Sequence, residues 1–322
     1  MQSIKDAPIK EGTRVLVRAD IDVPIVNGQI QDSFRLDKCL PTLKYLESKK
    51  AHIIIAGKIG RPEGKFNPEL STRNIIPYFR ENLSGTSFEI LENLRFDPRE
   101  EESSEEFARE LAKNAQIYVN ECFATSHRED TSIYLVPKLL PSYAGLRLEQ
   151  EVETLKKVIK DPKRPLVSII GGAKLGTKRP VVSKFLQISD FVLIGGKIGL
   201  DWDTEIPENL ILPVDYTGVN QDIGPQTVSE FIKIIKIAKT VIWNGPMGLF
   251  EVSPFEHATN ELARVIADHD SFSIIGGGDT IHAINALGIL DKFDFVSTGG
   301  GAMLEFITNE NLPGLEVLGY HG

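Results

Sequence analysis

Four glycine-rich segments, each following a short apolar run, lie in the C-terminal half of the chain, at residues 167–178, 191–197, 273–280 and 295–302. A short apolar run reads as a buried parallel strand, and glycine at its carboxyl end lets backbone approach a ligand closely. Several such ends on one edge of an open α/β sheet form a ligand-binding crevice. Lys174 and Lys178, one helical turn apart past the first run, add fixed positive charge. The amides of Gly277 and Gly278, ahead of Asp279 and Thr280, can hold phosphate oxygens at a helix start. Asp279 is placed to cap that helix, to hold Mg²⁺, or to do both. The combination suits an anionic ligand carried with a hard cation, and a nucleotide is the first reading.

The N-terminal half carries a different set. Arg18 follows the run 15–17, Lys58 and Arg61 follow 52–55, and Arg95 follows 88–94. His127 and Arg128 follow 117–126, and Arg35 stands before the first helical stretch. One such arginine reads as a surface ion pair; five around one sheet edge read as a binding face. Guanidinium forks match carboxylate and phosphate oxygens in pairs, so the expected ligand is a small phosphorylated acid. The lysine–serine/threonine end of a Walker loop is missing, as is a dinucleotide glycine fingerprint. The sequence also lacks a nucleophile elbow, His-Glu-x-x-His and Cys-x-x-Cys.

These residues need strands that end on common edges, and the patterning supplies them. Strand-like runs at 14–17, 52–55, 88–91 and 117–119 alternate with helical spacing at 36–49 and 105–113. The expected class is α/β with parallel sheets. The amphipathic stretch 148–160 is stopped by Asp161-Pro-Lys-Arg-Pro165 and reads as a connecting helix, with a second domain from Leu166. At 322 residues a two-domain chain is expected. A net charge of −9 disfavours nucleic acid as partner. Two cysteines fit a reducing cytoplasm, and neither a signal peptide nor a membrane span is expected.

Eight motifs run over essentially the whole length of the chain. The motifs are Val15-Leu-Val-Arg-Ala-Asp-Ile-Asp-Val-Pro24, Gly60-Arg-Pro62, Leu91-Glu-Asn-Leu-Arg-Phe96 and Leu166-Val-Ser-Ile-Ile-Gly-Gly-Ala-Lys174. They continue with Asp222-Ile-Gly-Pro225, Val241-Ile-Trp-Asn-Gly-Pro-Met-Gly-Leu-Phe-Glu251, Gly276-Gly-Gly-Asp-Thr280 and Ser297-Thr-Gly-Gly-Gly-Ala302. Over these motifs the chain resembles phosphoglycerate kinases, and the resemblance implies two Rossmann-like domains with parallel sheets flanked by helices. Residues 1–147, with a tail at 310–322, would bind 3-phosphoglycerate; 148–165 would form a hinge; 166–309 would bind Mg-nucleotide. It implies phosphoryl transfer between 1,3-bisphosphoglycerate and ADP, by a monomer. Arg18, Asp20, Asp22, Arg35, Lys58, Arg61, Arg95, His127 and Arg128 would line the phosphoglycerate site. Arg35, Lys174 and Lys178 would face the transferring group. Gly171, Gly172, Ala173, Gly195, Gly196, Asn244, Pro246, Gly248, Gly277, Gly278 and Thr280 would hold the nucleotide, with Glu251 on the ribose and Asp279 on Mg²⁺.

Four positions depart from the family's pattern. Asp22 stands for asparagine, Lys58 for a substrate-site histidine, Asp130 for the second histidine of His-Arg-x-His, and Lys197 for the third glycine of a run. Pairing or charge balance between Asp22 and Lys58 is the expectation. The chain is also short, lacking a strand and helix between Ser84 and Phe88 and much of a helical excursion between Gly199 and Leu210. The competing functional reading is a non-catalytic nucleotide- or phosphate-binding paralogue; a kinase of altered specificity lies between the two.

Overall fold

Eleven runs rich in branched and aromatic apolar residues pair as two wholly parallel sheets. The computed structural model describes residues 1–85, 87–173 and 175–322, with backbone alone for Leu175 and Thr177. The chain forms two units, Met1–Glu153 with Glu310–Gly322, and Thr154–Asn309.

The first unit holds β1 (Arg14–Ala19), β2 (His52–Ala56), β3 (Phe88–Ile90), β4 (Ile117–Glu121) and β5 (Ser142–Ala144), in the order β3-β2-β1-β4-β5. Register places Val15 beside Ile53 and Ile117, and Val17 beside Ile55 and Val119. Strands buried on both faces need apolar side chains throughout, which is why β1 reads as a continuous run and not as an alternation. Helix α1 (Phe34–Ser48) lays Leu36, Cys39, Leu43 and Leu46 on this sheet. Helices α2 (Ile76–Asn82) and α3 (Glu105–Ala112) follow in the connections. The C-terminal tail belongs to this unit: the Gly314 amide donates to Ser126 O at 2.8 Å, and the N-terminal ammonium to Gly319 O at 2.8 Å. The division between units falls inside α4 (Leu146–Lys160).

The second unit holds β6 (Leu166–Ile170), β7 (Phe191–Ile194), β8 (Leu210–Ile211), β9 (Thr240–Asn244), β10 (Phe272–Gly276) and β11 (Phe295–Val296), in the order β8-β7-β6-β9-β10-β11. Its helices are α5 (Leu175–Ile188), α6 (Gly196–Leu200), α7 (Pro225–Ile235), α8 (His257–Ala267), α9 (Gly278–Ala286) and α10 (Gly300–Asn309).

Counted within each unit, the shared strand order is 3-2-1-4-5, extended by a sixth strand in the second. This is the doubly wound order of Rossmann-like sheets, in which winding reverses between the first and fourth strands. The chain leaves those strands toward opposite faces, opening a crevice at their carboxyl ends. Candidate sites are thus expected beyond β1 and β4 in one unit, and beyond β6 and β9 in the other. Among the described residues no helix is long and apolar enough to cross a membrane.

Candidate active site

In the first unit the basic residues cluster around the β1/β4 switch point, and carboxylates hold several of them. Asp20, just past β1, is buried and accepts Arg35 Nη1 at 2.9 Å (Oδ1) and 3.1 Å (Oδ2). The neighbouring Asp20 charge raises the Arg35 pKa, so this guanidinium stays charged. Arg95 donates from Nη1 to Gly60 O at 2.6 Å and from Nε to Glu101 Oε1 at 3.0 Å. Glu101 also lies 3.9 Å from Arg128 Nη1, so one exposed carboxylate spans two arginines. Asp22 accepts the Gly60 amide at 2.8 Å and lies 4.0 Å from Arg95. Arg61 is exposed beside Gly60, and His127 is half-buried beside Arg128.

Two expected ligands do not lie on this face. Arg18 is 1% exposed, with Nε on Ser132 Oγ at 2.8 Å, Nη1 on Ala19 O at 2.7 Å and Nη2 on Thr125 Oγ1 at 3.4 Å. Lys58 is 2% exposed, bonded to Asp130 and 3.2 Å from Glu100. The expected pairing of Lys58 with Asp22 is therefore corrected: Lys58 points inward to Asp130 and Glu100, while Asp22 serves Gly60 and Arg95. Glu100 and Glu101 lie in the acidic stretch 97–106, which reads as a solvated face; Glu100 is instead fully buried, held by Lys58 and Ser132.

In the second unit the ends of β6 and β9 meet backbone to backbone. The Gly171 amide donates to Asn244 O at 3.0 Å, and a Cβ on Gly171 would lie 2.0 Å from Pro246 O. No side chain fits there. Gly195, at the end of β7, sits against Met247 Sδ, and the Gly196 amide donates to Met247 O at 2.8 Å. Gly248 packs on Asp222, whose carboxylate takes the Ala258 amide at the start of α8 at 2.9 Å. Burial drives the Asp222 pKa up to about 6, against its amide hydrogen bonds. Gly172 has open space where a side chain would stand, and Ala173 is exposed.

Polar groups of α5, α9 and the β9 end converge in this crevice. Lys178 Nζ donates to Asn244 Oδ1 at 2.5 Å, and Asn244 Nδ2 donates to Gly276 O at 2.9 Å. Thr280 Oγ1 accepts the Gly245 amide at 2.8 Å. Gly277 turns with φ +101°, a value glycine tolerates, so that α9 begins with its amides beside these groups. Gly277 is itself the N-cap and no side chain caps α9, so Asp279 stands exposed in the first turn, not as the cap. Burial lowers the Lys178 pKa to about 8, opposed by the Asp279 charge. Glu251 is exposed beyond the β9 loop. Lys174 lies outside the described residues. The helix after β7 is only five residues long, followed by a short path to β8.

The first unit can therefore hold a small multiply charged acid among guanidinium groups. The second can hold phosphates against an ammonium and backbone amides, with the closely packed glycine loops after β6 and β7 alongside. The phosphoglycerate kinase family model matches residues 4–89, 79–202 and 208–310. The phosphoglycerate kinase of Leptospira biflexa is 35% identical over 379 aligned positions, which cover 96% of each chain. That of Thermomicrobium roseum is 34% identical over 389 positions, covering 99% of each. Both alignments are longer than the 322-residue chain, so these relatives carry segments that it lacks. The solved phosphoglycerate kinase of Coxiella burnetii superposes with a TM-score of 0.85 at 29% identity, over 98% of each chain. By match length, identity and shared fold, the chain belongs to the phosphoglycerate kinase family.

Proposed function

We propose that this chain is a phosphoglycerate kinase, transferring a phosphoryl group reversibly between the acyl phosphate of 1,3-bisphosphoglycerate and ADP. One observation carries the reading: two sheets of the same strand order bear, at equivalent switch points, an arginine face and a lysine- and amide-lined phosphate corner. Arg35, Arg61, Arg95, His127 and Arg128, with Asp20 and Asp22 orienting them, take the phosphate and carboxylate of 3-phosphoglycerate. Lys178, Asn244, Thr280 and the amides of Gly277 and Gly278 take the nucleotide phosphates. Gly171, Gly172, Ala173, Gly195, Gly196, Pro246 and Gly248 line the adenine slot, and Glu251 takes the ribose hydroxyls. Lys174 adds a second ammonium in this reading.

Such a transfer needs alignment and charge neutralisation more than covalent help from protein. A carboxylate oxygen of 3-phosphoglycerate attacks the terminal phosphorus of ATP, and the bond to the ADP oxygen breaks. Arg35 and Lys178 offset charge on the oxygens of the moving group. The exposed Asp279 carboxylate, two residues past Gly277 in the first turn of α9, is a hard oxygen donor that would hold a Mg²⁺ ion beside the nucleotide phosphates. That ion would neutralise phosphate charge. The two faces must meet, so domain movement about α4 and exclusion of water belong to the proposal. A cytoplasmic monomer with both cysteines reduced is its simplest form.

The test is a coupled assay with 3-phosphoglycerate and Mg-ATP, using a dehydrogenase that consumes 1,3-bisphosphoglycerate. Turnover abolished by Arg35→Ala and by Lys178→Ala supports the proposal. Nucleotide binding without turnover would leave the non-catalytic reading.

A further inference from the structure

Beneath the arginine face of the first unit lie four buried charges: Arg18, Lys58, Glu100 and Asp130, each 5% exposed or less. Lys58 bonds Asp130 and lies 3.2 Å from Glu100 Oε1. Glu100 accepts the Ser132 hydroxyl at 2.6 Å and its amide at 3.0 Å, and that hydroxyl accepts Arg18 Nε at 2.8 Å. Two cations and two anions make the group formally neutral. Desolvated charges persist only when paired and hydrogen-bonded, so removing one member strands its partner.

Each member is rooted in a different strand-end segment. Arg18 belongs to β1. Lys58 lies three residues before Arg61, Glu100 five after Arg95, and Asp130 two after Arg128. Neutral links run alongside: Asn93 joins Ile59 through both its amide atoms, and Thr131 Oγ1 donates to Arg99 O at 2.6 Å. The charged group is thus the common anchor of the three segments that carry Arg61, Arg95 and Arg128.

We propose that Lys58 is a positioning residue and not an anion ligand: with Asp130 and Glu100 it fixes the spacing of the three basic segments that meet the phosphoglycerate. The inference rests on the reading of that face given above. An anion reaching the Lys58 ammonium would strip it from two carboxylates and leave both buried without their cation. Lys58 and Asp130 therefore act as one unit, and they depart from the family pattern together.

The test uses the full-length protein with Asp130→Asn. Loosened registry should raise KM for 3-phosphoglycerate roughly ten-fold with KM for Mg-ATP unchanged, since small misplacements of binding groups are costly. If Lys58 were instead a ligand restrained by Asp130, the same change would free it and lower KM, which overturns the proposal. Should Asp130→Asn fail to fold, Lys58→Met with Asp130→Leu leaves the remaining Arg18 and Glu100 neutral. A folded double variant with parental KM overturns the proposal, and one with raised KM supports it only together with an unmoved Lys58 ammonium signal in the unaltered chain. Independently of any variant, the Lys58 ammonium signal of ¹⁵N-lysine-labelled protein should hold its shift as 3-phosphoglycerate is added. A shift of the size expected for direct contact overturns the proposal. Calorimetry separates the two levels: no binding of 3-phosphoglycerate by the unaltered chain sinks the functional reading and this inference with it, whereas normal binding with lowered KM in Asp130→Asn sinks the inference alone.

Discussion

Raising the pH should weaken nucleotide binding through Lys178. Burial between α5 and the β9 end lowers its pKa from the usual 10.5 to about 8, and the Asp279 charge only partly offsets this. Below that pH the side chain is an ammonium able to neutralise a phosphate oxygen; above it, an uncharged amine remains. If only the ammonium form binds, the apparent Kd rises by one power of ten per pH unit above the pKa. Between about pH 7 and about pH 9 ADP should bind about ten-fold more weakly, or ~1.4 kcal/mol. Phosphate bound at the site raises the Lys178 pKa, so binding near pH 8 should take up about half a proton, because the free side chain is half protonated there. Calorimetry in buffers of different ionisation heat measures both quantities. Lys178→Arg, charged throughout this range, should flatten the profile. A flat profile for the unaltered protein, or an unchanged slope in Lys178→Arg, would refute the reasoning.

Other substitutions have equally definite outcomes. Gly171→Ala places a Cβ 2.0 Å from Pro246 O and 2.5 Å from Gly245 O, both main-chain atoms that cannot rotate aside. It should cost about 2 kcal/mol or more in urea unfolding and impair ADP binding. Arg35→Lys keeps the charge but loses the fork held by Asp20, and kcat/KM for 3-phosphoglycerate should fall at least ~10-fold. Glu101→Gln removes a carboxylate that competes with substrate for Arg95 and Arg128. KM for 3-phosphoglycerate should drop about two- to five-fold, consistent with an exposed ion pair of modest strength.

The central strands were legible because burial on both faces forces unbroken apolar runs, as in residues 14–17 and 52–55. Ser142–Ala144 and Leu210–Ile211 are too short to show any period, and α2 is hidden by Pro77. The glycine loops were legible because close backbone approach admits only one residue type, as at Gly171. Side-chain direction was not. Arg18 and Lys58 carry the right charge at strand ends yet are buried, Arg18 within β1 and Lys58 two residues past β2, each held by partners distant in the sequence. The signal for the Lys58–Asp130 pair was in the sequence as two opposite charges departing together from a basic pattern. Only the fold shows that they touch, because 72 residues separate them. Glu101 gave no signal, as its role is defined by arginines on two other segments.

The most direct measurement is the fate of the ATP terminal phosphate when purified protein, Mg-ATP and 3-phosphoglycerate are mixed with hydroxylamine, which captures acyl phosphates. Stoichiometric ADP, inorganic phosphate and the hydroxamate of 3-phosphoglycerate, formed by the unaltered chain and lost in Lys178→Ala, are the predicted result. ADP accompanied only by free inorganic phosphate, or no ADP at all, would contradict phosphoryl transfer to a carboxylate.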